Sequence, residues 1–266
     1  MIRQQEMIQR VKAAAEKDER IDAVMMYGSF TQGSGDEYSD IEFYIFFDDK
    51  SDKALDTKQW IAAIHPIYTH FFNSYGTEVV IFTNLIRGEF HFIHHSEMHI
   101  INTFKSTGYF PNIDAMCLYD RQGRLKEALQ MLSHYQADRQ TPEIAAYLIN
   151  SLLNELLLGL HVYKRGEYAR SLESLHNARK YYLQSLRLLE NKTEHWVNPT
   201  RNLEKELSAV AYDSYRAATA KLDTEELLGA YRNLLKYAKN TIAALGQRFT
   251  VDDFDELIDH IERYIQ

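Results

Sequence analysis

The sequence predicts an α+β protein in two parts, and three observations carry that prediction. From residue 1 to about 137, short β-branched and aromatic runs alternate with helical stretches and Gly turns, which suggests a mixed β-sheet flanked by helices. From Thr141 onward the strand signal vanishes, and long helical stretches separated by a few residues suggest antiparallel neighbours in an all-α bundle. At 266 residues, with 45% apolar and 26% charged content, the chain is long enough for two cores and has an ordinary globular composition. The expected domains are residues 1–137 and 138–266, with the hinge within 121–140.

The elements follow in order. Residues 3–18 read as a polar amphipathic helix, without the apolar core of a signal peptide. "IDAVMMYGSF" and "DIEFYIFF" read as strands, "TKQWIAAIHPIYTHFF" as a helical stretch, and "TEVVIF" and "EFHFIHH" as two further strands. A helix is expected over "RLKEALQMLSHY". Thr141 is a natural N-cap, with Pro142 at the first helical position and Glu143 in the first turn; that helix should close near Gly166 after Lys164 and Arg165. Residues 167–190, 201–222, 224–245 and 251–265 read as four more helices.

Charge narrows the function. A net charge of −8 argues against a nucleic-acid binder, which normally carries a basic excess. The single cysteine, Cys117, permits no intrachain disulfide and suits a reducing cytoplasm. No stretch approaches the roughly 20 apolar residues of a membrane span, so no membrane partner is expected.

The chemistry concentrates in "MMYGSFTQGSGDEYSDIEFYIFF", residues 25–47. On a strand Asp40, Glu42, Tyr44 and Phe46 share one face, and Ile41, Phe43, Ile45 and Phe47 share the other. Two neighbouring carboxylates are costly unless paired or bound to a cation, and a hard ion such as Mg²⁺ resolves the cost. Gly28 and Ser29 end the preceding strand before an expected short helix, where backbone N–H groups and the Ser29 hydroxyl can hold a phosphate. A third carboxylate should lie on a neighbouring strand. Glu78 and Glu89 both qualify; Glu89 is favoured, since it shares a face with His91 and Ile93, whereas Glu78 at a strand start reads as solvated. His95 and His99, four apart, could ligate zinc on a helix, but no cysteine or clear third ligand accompanies them. The tyrosines of the helical half read mainly as amphipathic packing.

Strand, Gly-Ser, polar loop, then a strand bearing D-x-E is the pattern of the DNA polymerase beta-like nucleotidyltransferases. With "IRGEFHFIHH" and the all-helical tail, the chain resembles the lincosamide nucleotidyltransferases, bacterial antibiotic-resistance enzymes, over essentially its full length. The second acid is Glu where Asp is commoner, a departure that antibiotic-modifying members share. The resemblance implies an N-terminal nucleotidyltransferase domain that moves AMP from ATP to a hydroxyl of lincomycin or clindamycin, with Mg²⁺ and release of pyrophosphate. It implies metal ligation by Asp40 and Glu42, triphosphate binding at Gly28 and Ser29, and Glu89 as base. Tyr44 and His91 are expected in the acceptor pocket, and relatives are commonly homodimers. Two alternatives stand beside it. An aminoglycoside nucleotidyltransferase would line its cleft with acids, and Asp36, Glu37, Asp48 and Asp49 cluster nearby in sequence. A non-enzymatic, antitoxin-like partner protein of the same fold would be expected to lose an acid of the site, and this chain keeps every one.

Overall fold

The structure, a computed structural model, describes residues 1–48, 54–106, 108–133 and 135–266. The chain divides into two units, Met1–Ala137 and Asp138–Gln266. The first is a mixed sheet with helices and the second is helical, an α+β protein.

In the first unit α1 (Arg3–Lys17) buries Met7, Ile8, Val11 and Ala15, the apolar stripe of its 3.6-residue period. β1 (Ile21–Tyr27) and β2 (Ile41–Phe47) follow, then α2 (Thr57–Ala62), β3 (Ile67–Phe72), β4 (Glu78–Phe82) and β5 (Arg87–His94). A 3₁₀ segment (His95–Ser106), α3 (Ile113–Met116), β6 (Cys117–Asp120) and α4 (Arg124–Gln130) complete the unit. The sheet order is β3-β4-β5-β2-β1-β6; β2 and β5 are parallel and the other pairs antiparallel. Alternation splits the central strands between two cores. Ile41, Phe43, Ile45, Val24, Val80 and Phe90 pack with α1. Ala23, Met25 and Phe46 pack with Met98, Ile101, Leu125 and Leu129 on the other side. The second core covers only part of its face, and the candidate site lies on the uncovered end.

In the first unit three expectations are corrected by the fold. The helix expected over 57–72 stops at Ala62, and Ile67–Phe72 is a strand paired with β4. Pro66 between them has no N–H to continue a helix and biases the preceding residue away from it. The expected short helix after Gly28 is a set of turns: the Thr31 and Gln32 N–H groups donate to the Gly28 and Ser29 carbonyls, both at 3.2 Å. The helix expected over 124–135 ends at Gln130, and position 134 lies outside the described residues.

The second unit opens with α5 (Pro142–Lys164), where the Thr141 side chain accepts from the Ile144 N–H at 3.3 Å. It closes at Gly166, whose φ of +78° is the left-handed conformation glycine adopts freely. α6 (Tyr168–Leu189) returns antiparallel to it, followed by α7 (Leu203–Glu206), α8 (Ala209–Ala217), α9 (Thr224–Arg248) and α10 (Asp255–Ile265). The single helix expected over 201–222 is thus two. Ser208 separates them, accepting from the Ala211 N–H at 3.2 Å as the N-cap of α8. By length and composition α5 does qualify as a membrane span, contrary to expectation. Its apolar residues Leu148, Leu152, Leu156 and Leu160 are instead fully buried among Leu175, Tyr182, Leu234 and Leu245. Arg187, fully buried, donates to the carbonyls of Pro199, Lys192 and Arg201 and to the Glu206 carboxylate, which fastens the segment between α6 and α7.

Candidate active site

The site is written into the strand register. Tyr27 pairs with Glu42 across β1 and β2, and Glu42 pairs with Glu89 across β2 and β5. One step along, Met25 pairs with Tyr44 and Tyr44 with His91. Paired positions share a face. The three central strands therefore present a row Tyr27, Glu42, Glu89 and behind it a row Met25, Tyr44, His91. Asp40 stands one residue before β2 rather than on it, and the loop that delivers it is fixed from α1. The buried Gln4 side chain donates to the Glu37 carbonyl at 2.7 Å and the Ser39 carbonyl at 3.2 Å.

Arg87 ties the acids together. One guanidinium nitrogen donates to Asp40 Oδ2 at 2.6 Å and the other to Glu89 Oε1. The sequence pattern alone did not single out this residue, although its signal was present: Arg87 is two positions before Glu89 on β5, hence on the same face. A cation already sits between two of the three carboxylates. The donor set is all oxygen and carries three negative charges when ionised, which fits a hard divalent ion.

Gly28 and Glu42 are in direct apposition. A Cβ on Gly28 would fall on the Glu42 carboxylate, and the residue has φ +78°. The adjoining Ser29 Oγ is buried and has no hydrogen-bond partner, an orphan donor beside the acids. Gly28→Ala is therefore expected to add strain of about 1–2 kcal/mol at positive φ and to push Glu42 aside. Turnover should drop at least tenfold in a variant that still folds; turnover and nucleotide affinity both at the wild-type level would show that Gly28 serves the turn alone.

The aromatic row completes the floor. Tyr44 stacks on His91 with ring centroids 4.2 Å apart and 7° between planes. The Tyr27 hydroxyl lies 3.4 Å from Glu89 Oε2 and 3.1 Å from His91 Nε2. Burial, reinforced by Glu42 and Glu89, pushes the Tyr27 hydroxyl far above the usual tyrosine range, so it stays protonated. Burial pulls His91 below its ordinary value in spite of Glu89, which keeps the ring neutral at pH 7. Two cavities flank the acids. One, of about 830 Å³, is lined by Gln4, Glu37, Ser39, Asp40, Asn84 and Arg87 among others. The other, of about 220 Å³, is walled by Tyr27, Gly28, Tyr44, Phe104, Phe110 and Met116 with Thr31 and Gln32 at its side.

The remaining candidates lie elsewhere. Glu78 is not solvated: it is buried, 2.7 Å from His70 Nε2, and pairs with Phe90, whose face is opposite to that of Glu89. Asp48 follows the far end of β2, so it does not line the site; Asp49 lies outside the described residues. His99 joins no cluster among the described residues, whereas Asp48, His94 and His95 bring ligand atoms within 4.8 Å of one another. There the Arg124 guanidinium, itself bonded to the buried Asp22, lies 3.1 Å from His95 Nδ1, and the Ser96 N–H donates to His94 Nδ1 at 3.3 Å.

Comparison with known proteins adds the following. A family model described as polymerase beta, nucleotidyltransferase, matches residues 9–88, a span that contains Gly28, Ser29, Asp40, Glu42 and Arg87 and ends one residue before Glu89. A second, described as lincosamide nucleotidyltransferase-like, C-terminal domain, matches residues 141–264. No curated protein matches the chain. Among solved structures, an aminoglycoside 6-adenyltransferase from Bacillus subtilis aligns at 14% identity and TM-score 0.44, over 99% of each chain. A nucleotidyltransferase-like protein from Exiguobacterium sibiricum aligns at 14% identity and TM-score 0.38, over 91% of this chain and 78% of its own.

Proposed function

We propose that this chain, whose N-terminal unit carries a nucleotidyltransferase domain of the polymerase beta kind, transfers AMP from ATP to a hydroxyl of a lincosamide antibiotic. The observation that carries the reading is the register that sets Glu42 beside Glu89, with Arg87 bridging Glu89 to Asp40 and Gly28 against the Glu42 carboxylate. The match of residues 141–264 to a lincosamide nucleotidyltransferase-like C-terminal domain supports the choice of acceptor.

The residues divide the work by chemistry. Ser29 and the backbone of its turn orient the triphosphate. Asp40 and Glu42 would hold Mg²⁺. When bound, the ion supplies charge neutralisation at the phosphoryl group and at the leaving pyrophosphate. Glu89 accepts the proton of the acceptor hydroxyl as its oxygen bonds to the α-phosphorus and the bond to pyrophosphate breaks. Tyr27 donates to Glu89 and fixes the carboxylate's orientation. The aromatic cavity at Tyr27 and Tyr44 suits an apolar acceptor with few polar anchors. The resemblance also gives a homodimer, acting in the cytoplasm where ATP is available.

The test is mass spectrometry of clindamycin, lincomycin and kanamycin after incubation with purified protein and Mg-ATP. A nucleotide mass added to clindamycin or lincomycin supports the proposal. Addition to kanamycin alone replaces the acceptor by an aminoglycoside, and no addition to any of the three under conditions of tight ATP binding leaves the partner-protein reading in its place.

A further inference from the structure

We propose that Arg87 is a resident counter-cation of the candidate site, which holds Asp40 and Glu89 together without a metal ion and must release Asp40 when a divalent ion binds. The proposal rests on the metal-binding part of the reading above. Its basis is the geometry of one side chain. The planar guanidinium donates to Asp40 Oδ2 through Nη1 and to Glu89 Oε1 through Nη2. A fork of fixed donors bridges two carboxylates in a way that a single ammonium cannot. Asp40 Oδ2 is an oxygen that a hard ion would take, and it cannot serve both cations at full strength.

The surroundings allow the exchange. The Arg87 side chain is 45% exposed, so no packed wall keeps it in place. It lines the 830 Å³ cavity beside Asp40, which gives the displaced guanidinium somewhere to go. Gly88, the residue after it, sits opposite Ile41 in the β2–β5 register, so the backbone of Arg87 is fixed while the long side chain can swing. Bridging has a purpose in the metal-free protein, where Asp40, Glu42 and Glu89 would otherwise repel one another. Ion binding is then an exchange of one positive charge for another rather than the filling of an open site.

The experiment measures Mn²⁺ binding by electron paramagnetic resonance, without nucleotide, in the wild type, Arg87→Gln, Arg87→Lys and Asp40→Asn. Thermal melts with and without Mn²⁺ give a second readout. Removing the competitor should tighten Mn²⁺ binding about tenfold in Arg87→Gln, and the variant should melt lower than the wild type without metal yet gain more on adding it. Arg87→Lys keeps the charge but loses the fork, so it should bind Mn²⁺ more tightly than the wild type. Equal affinity in wild type and Arg87→Gln, with binding still lost in Asp40→Asn, overturns the proposal and leaves the metal assignment standing. Arg87→Lys indistinguishable from the wild type reduces Arg87 to a net-charge effect and overturns the bridging. Mn²⁺ binding that is absent throughout, or insensitive to Asp40→Asn, overturns the metal assignment and the proposal together.

Discussion

Asp40→Asn is expected to lower turnover about 10³-fold or more while the protein stays folded. Electrostatic stabilisation by a bound ion is worth several kcal/mol in a phosphoryl-transfer transition state, and about 4 kcal/mol corresponds to 10³ in rate. Asn keeps the shape and one acceptor oxygen of Asp40 but removes the charge that would retain the ion. The fold has little stake in that charge. Asp40 precedes β2, its side chain is 33% exposed, and its partner Arg87 is itself 45% exposed. Ion pairs at such exposure contribute about 0–1 kcal/mol. Removing one of several like charges would by itself relieve repulsion and raise stability. The Arg87 bridge reverses that expectation: a favourable partner is lost as well, and the melting temperature should hold or fall by a few degrees. An Asp40→Asn protein with near-normal turnover would remove Asp40 from the metal site.

The strands that build this site were legible because they are two-faced. In β2 the alternation of Ile41, Phe43 and Ile45 with Glu42, Tyr44 and Phe46 is enough to name the buried face and the working face, and the fold divides them between two cores in that order. The caps of α5 were legible for a similar reason: Thr141, Pro142 and Gly166 each satisfy or remove a terminal backbone group through local chemistry. β3 was not. "IYTHFF" continues an apolar pattern that begins with Trp60 and Ile61, and it becomes a strand because β4 offers it a ladder, a decision made outside the segment. Arg87 was half legible. Its face could be counted from Glu89, but its contact with Asp40 depends on the parallel register that sets Gly88 against Ile41. Glu78 was misread in the same way: a strand-start acid looks solvated until His70, eight residues earlier, returns beside it on the neighbouring strand.

Glu89→Gln is expected to collapse kcat by about 10²–10⁴ while the affinities for ATP and the acceptor stay within a few-fold of normal. A neutral hydroxyl attacking phosphorus must lose its proton in or near the transition state, and removal of a general base costs that much. Gln preserves size and one acceptor oxygen, so Arg87 can still donate to it, and the Tyr27 hydroxyl can turn to accept from the new amide. The loss should therefore appear in kcat and not in KM, since a lost binding contact would raise KM with little change in kcat. Glu78→Gln is the control, and the structure sharpens what it should do. Glu78 is buried against His70 on the opposite face of the sheet, so its neutralisation should lower the melting temperature and leave kcat nearly intact. Two readouts then separate two acids: Glu89 moves rate without stability, and Glu78 moves stability without rate. If the effects trade places, the third carboxylate belongs to β4. If both variants keep their kcat, no carboxylate on either strand takes the proton, and positioning by Asp40, Glu42 and the Gly28–Ser29 turn must carry the reaction.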